Sequence, residues 1–350
     1  MLRRIALILL LLAGPVPAAA QSLTIAGVTD TATFRPVIEA FRKLHPQITV
    51  EYHEYESIPL DEGLRQGTLT PPPDLVISSA VDRQFKAVND GLARPYRSEQ
   101  TRALPDWARF ADEAFGFTFE PLVFVANRRL FPDGRPPSSR AALLDYLEAA
   151  PTRRIATYDP LTSGVGYLVA NMDLATNSQF AAFIGRSAQN GLSTFASSLE
   201  ILQEVAAGRS AIAFNVLGSY AAGWKAAGAD IEIVYPVDYT FALMRVALIP
   251  RGAREPRSAE LFLDFLLSEQ GQTVLTRDGN LPAIRSIPGP YASERTIRES
   301  AAGPIRIIGL DATLLAMADD LHRRSFETFW RSLVETGTRG RAAARASPGP

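Results

Sequence analysis

The chain has 350 residues, with 36 Lys and Arg against 37 Asp and Glu, three histidines and no cysteine. That balance excludes a general nucleic-acid binder, which needs a basic face. The missing cysteines exclude disulfides, thiolate metal sites and a cysteine nucleophile.

The first twenty residues read as a cleavable export signal. Arg3 and Arg4 precede the apolar run "IALILLLLAG", and "PVPAAA" ends in small residues before Gln21. Cleavage there leaves 34 basic and 37 acidic residues, a net charge of −3. Later apolar runs such as "LFLDFLL" (261–267) are far too short for a membrane span. The remaining 330 residues are enough for two domains.

"LTIAGV" (23–28) is a β-rich run, and 31–46 carries Phe34, Val37, Ile38, Phe41 and Leu44 at helical spacing. "ITVEYHEY" alternates as a half-buried strand, "LVISSA" (75–80) reads as a buried strand, and "VDRQFKAVND" is a helix closed by Gly91. A long β-rich stretch begins at residue 117. "SSRAALLDYLEAAP" is a helix, "RRIATYD" a strand, and "SGVGYLVANMDLA" starts another helix. "SSLEILQEVAAG" (197–208) has the capping-box pattern Ser197 to Glu200. The strand "SAIAFNV", the helix "GSYAAGWKAAG" and the strand "ADIEIVYP" follow. A second β-rich stretch spans 238–250, then helices over 258–279 and 311–336, and a tail without apolar pattern.

Strands and helices alternate throughout, which predicts an α/β protein. Two β-rich connectors bracket one α/β block, so the chain is expected to leave one lobe, build a second and return. The expected division is 21–117 with 243–338 for lobe 1, 118–242 for lobe 2, and a disordered tail over 339–350. Ligands of open α/β sheets bind beyond the C-terminal ends of the strands. A cleft between the lobes is the expected site.

Four strand-to-helix turns carry a hydroxyl where a helix begins: Thr29-Asp30-Thr31, Ser78-Ser79, Ser163-Gly164-Val165-Gly166, and Gly218-Ser219-Tyr220. Such residues cap helices. A helix N-terminus also offers free N–H donors and partial positive charge, which makes an anion site. Tyr239, at the start of the second connector, is a further candidate, and Arg245 within it is either a ligand counter-ion or the partner of an acid. Ser219 admits a third role as a nucleophile. However, His45, His53 and His322 have no ligand or catalytic spacing, and no nucleophile-elbow, phosphate-loop or dinucleotide motif occurs. No catalytic residue, metal site or cofactor is expected.

Three segments carry a family likeness: "SGVGY" after a strand, "AIAFNVLGSYA", and "VALIPRGAREPRSAELFLDFLLSEQGQ" (246–272). Over about residues 22–285 the chain resembles bacterial extracytoplasmic solute-binding proteins of ABC importers. It is most similar to the branch with ferric-ion, phosphonate, phosphosugar and polyamine receptors. The resemblance implies the type II periplasmic-binding-protein fold, with two α/β lobes, two crossing strands and one solute between them. It also implies a periplasmic monomer that delivers its solute to an inner-membrane ABC permease, or reports it to a sensor kinase. Ferric-ion receptors of this kind present adjacent tyrosines where this chain has Gly218-Ser219-Tyr220-Ala221. The single Tyr220 favours a small organic anion, such as a phosphorylated sugar, a phosphate ester or a carboxylate, over iron.

Overall fold

The computed structural model describes residues 21–149, 154–289 and 292–346. The expected signal segment, 1–20, lies outside them, as do 347–350.

Six elements build the first half-sheet and its helices: β1 (Gln21–Gly27), α1 (Thr31–Leu44), β2 (Ile48–Glu54), α2 (Ser57–Gln66), β3 (Leu75–Ser78) and α3 (Val81–Asn89). The short helix α4 (Glu99–Arg102) leads to β4 (Arg109–Phe110) and β5 (Ala114–Gly116). The chain then crosses into β6 (Glu120–Asn127), α5 (Arg140–Ala149), β7 (Ile155–Tyr158), α6 (Gly164–Thr176), α7 (Phe180–Gln189) and β8 (Ser193–Phe195). It continues through α8 (Ser198–Ala206), β9 (Ile212–Leu217), α9 (Gly218–Ala226), β10 (Ile231–Val234) and β11 (Thr240–Leu243). The return adds β12 (Val246–Leu248), α10 (Pro256–Leu267), α11 (Glu269–Arg277), α12 (Glu294–Ser300), β13 (Ile305–Ile307), α13 (Thr313–Ala318) and α14 (Asp320–Ala346).

These strands form two sheets, one per lobe. Lobe 1 has the order β2-β1-β3-β12-β5-β4, and lobe 2 the order β13-β11-β6-β9-β7-β8 with β10 beside the far end of β6. Strand chemistry follows position. The inner strand β6 is buried at every residue, and β3 likewise, as strands covered on both faces must be. The edge strand β2 is buried only at Ile48 and half-buried or exposed beyond it. Each core is aromatic: Phe34, Phe41 and Phe262 meet in lobe 1, and Phe180, Phe183 and Phe214 in lobe 2.

The lobes join at a hinge of three adjacent segments. Phe117 N–H donates to the Arg245 carbonyl at 2.9 Å, and Arg245 N–H donates to Thr118 Oγ1 at 2.8 Å. Phe119 N–H donates to the Pro282 carbonyl at 3.0 Å. The β-rich stretch 238–250 is therefore two strands, broken at Met244 and Arg245 where the chain changes sheet.

The C-terminal segment departs from the two-crossing expectation. β13 pairs in parallel with β11 of lobe 2, so residues 243–338 do not all stay with lobe 1. α13 then packs on α3 of lobe 1, and α14 on α7 of lobe 2. The close α14–α7 approach needs Gly337, where a Cβ would lie 2.5 Å from Ala188 Cβ and 2.6 Å from the Gly185 carbonyl. The expected tail also differs: α14 runs on to Ala346 because "RAAARA" is rich in strong helix formers. Four of the described helices were not expected: α2, α4, α7 and α12. α2 carries Pro59 and Gly63, which mask its pattern, and α7 is a short helix of Ala, Phe and Gly. No described helix is long and apolar enough to cross a membrane.

One ion pair ties this C-terminal strap to lobe 1. Arg323 Nη2 is 3.0 Å from Asp82 Oδ2, and its guanidinium lies 3.9 Å from the centre of the Tyr167 ring in lobe 2. Asp82 is fully buried, and burial raises its pKa against the pull of Arg323 and Arg83. Removing the guanidinium leaves that carboxylate unpaired. Arg323→Ala should cost about 3–5 kcal/mol of stability at neutral pH. A native pKa above the unfolded value means the folded state holds the proton longer, so stability falls as pH climbs. The loss should therefore shrink when the measurement is repeated at acidic pH, because a protonated Asp82 no longer buries a charge. Urea melts of both proteins at the two pH values test this, and a loss independent of pH would refute it.

Candidate functional site

The first turns of six helices meet between the lobes. α1, α2 and α3 come from lobe 1, and α6, α8 and α9 from lobe 2. Their leading residues Asp30, Ser57, Ser79, Ser163, Ser198 and Tyr220 line one cavity of about 180 Å³. Each of these helices follows a strand, so the fold delivers every N-terminus to the same edge of its sheet.

Ser163 caps α6, accepting from Gly166 N–H at 3.2 Å. Gly164 N–H donates across the cleft to Ser57 Oγ at 2.9 Å. A Cβ at Gly164 would lie 2.7 Å from Ala80 Cβ, so only glycine lets the lobes approach this closely. The start of α9 has no side-chain cap, and Ser219 Oγ is buried without a hydrogen-bond partner. Tyr220 reaches across the cleft and donates its hydroxyl to Asp30 Oδ2. Burial, with Asp30 beside it, pushes the Tyr220 phenol pKa upward; burial pushes that of Tyr158 to about 12.

The charged groups are unequal. Arg245 is the basic residue lining the cavity, while Asp30, Glu54 and Glu56 are acidic. Arg245 is 1% exposed; its Nε lies 3.0 Å from Glu120 Oε1, its Nη1 donates to Thr29 Oγ1 at 2.9 Å, and its Nη2 has no partner. Burial works against its charge, but Tyr220 and Glu120 outweigh that and push its pKa upward. Glu54 accepts from the Thr31 amide and hydroxyl, both at 2.7 Å, and so caps α1. Burial raises the Glu56 pKa, reinforced by Glu200, Asp30 and Glu54.

The structure sorts the residues expected from sequence. Asp30, Ser79, Ser163, Val165 and Tyr220 line the cavity, and Ser219 and Tyr220 line its neighbour. Thr29 and Ser78 lie behind the wall: Thr29 holds Arg245, and Ser78 Oγ accepts from Ala80 N–H at 3.1 Å. Thr31 is taken up by Glu54, and Gly164 and Gly166 serve through their backbone. Tyr239 belongs elsewhere. Its hydroxyl donates to Asp173 Oδ1 at 2.5 Å, and its ring lies 3.7 Å from the Arg140 guanidinium, in a buried network of lobe 2. Sequence reasoning missed Glu56 and Ser57 because α2 itself went unseen, and Glu54, the last residue of β2, was read only as part of a strand. Ser197 and Ser198 were read only as a helix start.

No histidine lines either cavity, and Ser163 Oγ is occupied by capping. Among the described residues, no cluster of three His, Cys, Asp or Glu stands ready for a metal. The arrangement can hold a small molecule by amides, hydroxyls and one guanidinium, with two lobes closing on it. That defines a two-lobed binding protein.

Known proteins agree. The family model for "Bacterial extracellular solute-binding protein" matches residues 23–280. The chain belongs to that family. It is 31% identical to the substrate binding protein of an ABC transporter from Agrobacterium tumefaciens, covering 91% of this chain and 95% of that one with a TM-score of 0.84. The periplasmic binding protein AfuA from Actinobacillus pleuropneumoniae, solved with fructose-6-phosphate, shares the fold at 19% identity and TM-score 0.74, over 91% of this chain and 99% of that one. Iron-bound HitA from Pseudomonas aeruginosa does so at 16% and 0.70, over 89% and 99%. Among curated proteins, none matches this sequence.

Arg245 is thus both a hinge residue and a cavity wall, and the two roles separate by mutation. Arg245→Met should destabilise the protein by about 3–5 kcal/mol, because Glu120 is left charged and buried. Adding Glu120→Gln should return much of that loss. Melting curves of the two variants check this; a double variant no more stable than Arg245→Met would refute it.

Proposed function

We propose that the protein is an exported receptor for a small anionic solute, which it carries to an ABC-type permease. The preferred solute is a phosphorylated sugar or a related hydroxyl-bearing phosphate ester or carboxylate. The observation that carries this reading is the meeting of six helix N-termini beside a buried guanidinium with one unpaired nitrogen. Each terminus contributes about 0.3–2 kcal/mol toward an anion. Micromolar affinity needs about −8 kcal/mol, so several must act together from both lobes.

Asp30, Glu54 and Glu56 refine the reading. A bare anion in the cavity would face three carboxylates. Carboxylates accept hydrogen bonds strongly, so they suit the hydroxyl groups of a polyol attached to the anion. AfuA, with its bound fructose-6-phosphate, offers a parallel in fold. A ferric ion is the weaker candidate. Tyr220 is flanked by Ser219, not a second tyrosine, and its raised pKa resists the phenolate that iron requires. Residues 1–20 would direct export, and the receptor would act as a monomer on the outer side of the inner membrane.

Native mass spectrometry of protein recovered from the periplasm should reveal a bound solute with the mass of a sugar phosphate or similar anion. Added at about 100 times its Kd, that solute should stabilise the fold by about 2.7 kcal/mol. Stabilisation by ferric citrate, with none from any phosphate ester or carboxylate, would replace this reading with the iron one. A permease and ATPase encoded nearby would favour delivery, and a sensor kinase would favour signalling.

A further inference from the structure

A second chamber of about 360 Å³ adjoins the cavity and shares only Asp30, Leu199 and Tyr220 with it. The Tyr220–Asp30 hydrogen bond is therefore the partition between the two. The outer chamber differs in chemistry. Trp224 lies four residues beyond Tyr220 on α9, hence on the same helix face. Leu199 and Leu281 are among its other walls, and Leu199 is 41% exposed at the opening. Ser219 faces this chamber with its hydroxyl buried and unpartnered. Both lobes contribute, since Asp278, Gly279, Asn280 and Leu281 come from the loop after α11.

We infer that this outer chamber is a second subsite, and that it takes an aromatic ring carried on the phosphorylated sugar head. The inference rests on the anionic-head reading of the inner cavity. The two chambers divide the work. The inner one supplies hydroxyls, carboxylates and Arg245 for a polar head. The outer one supplies the Trp224 face and two leucines, with Ser219 Oγ free to pair with one polar edge atom of the ring. Thr33, Asp278 and Asn280 also line the chamber and offer polar edges, while the Trp224 ring offers a flat apolar face. A planar ring keeps the aromatic contact and asks for few hydrogen bonds. To span both chambers the solute must displace the Tyr220 hydroxyl from Asp30, which frees that carboxylate for a sugar hydroxyl.

Ribose 5-phosphate and adenosine 5′-monophosphate share a head and differ by the ring. Calorimetry on the full mature chain should find the nucleotide roughly three- to tenfold tighter. In Trp224→Ala that ratio should fall to about one, and the nucleotide-induced quench of tryptophan emission should shrink. Trp224 is only half-buried, and a melting scan confirms that the variant is folded. Equal affinities for the two probes, or a ratio unchanged in the variant, would overturn the second subsite while leaving the head-group site standing. If neither probe binds, the second subsite falls, and the head-group reading is then decided by the wider panel of phosphate esters and carboxylates.

Discussion

Glu120 and Arg245 meet where two of the chain's crossings between lobes run side by side, and both are buried. A buried ion pair gains little over an apolar pair, because desolvation offsets the attraction. Its retention here has a geometric consequence. Arg245 bonds Glu120 at the start of β6, Thr29 at the end of β1, and Thr118 through its backbone. One side chain thus fixes the first lobe's leading turn against the second lobe's central strand. The turn that carries Asp30 and the strand that leads to the lobe 2 sites are set relative to each other by this contact.

The cleft above the pair is closed by contacts of modest strength. Ser57 to Gly164 and Tyr220 to Asp30 are the hydrogen bonds that cross it. Such bonds are worth about 0.5–1.5 kcal/mol each, rising to about 3 when a charge takes part. Both use groups that a solute would also use: a helix-start amide, a hydroxyl and a carboxylate. A ligand can therefore exchange one set of bonds for another without new architecture, and opening costs little. Under the proposed function, closure by a ligand would be a shift between nearby states, driven by contacts to both lobes at once.

The α/β alternation, the helix caps and the two crossings were legible because each rests on local chemistry. The Ser197–Glu200 capping box does begin α8, and Ser163 does cap α6. The likeness carried by "SGVGY" and "FLDFLLSEQGQ" matches the family of the chain. What stayed hidden depends on distant pairing. β13 is three residues long, and nothing local assigns it to the sheet of β11. Tyr239 looked like a cleft residue because it begins a crossover, but the strand turns its hydroxyl toward Asp173. Arg245 showed its apolar setting in sequence, and only the fold names Glu120 as its partner. α2 was hidden by Pro59, which is tolerated because it stands in the first turn, where no intrahelical N–H bond is lost.

The C-terminal strap limits how these lobes can move. After β12 the chain returns to lobe 2 through β13, to lobe 1 through α13, and to lobe 2 again through α14. A hinge of two strands would permit twist as well as bending. Here Arg323 holds Asp82 of α3 while stacking on Tyr167 of α6, and the Tyr167 hydroxyl donates to the Met317 carbonyl at 2.9 Å. α3 and α6 are two of the helices whose N-termini line the cavity. The strap therefore grips the same two helices whose leading residues, Ser79 and Ser163, line the cavity. Motion that opens the cleft must either stretch these contacts or pivot about them. A pivot there would keep the Ser79–Ser163 side nearly fixed and carry the Tyr220–Asp30 side through the larger arc.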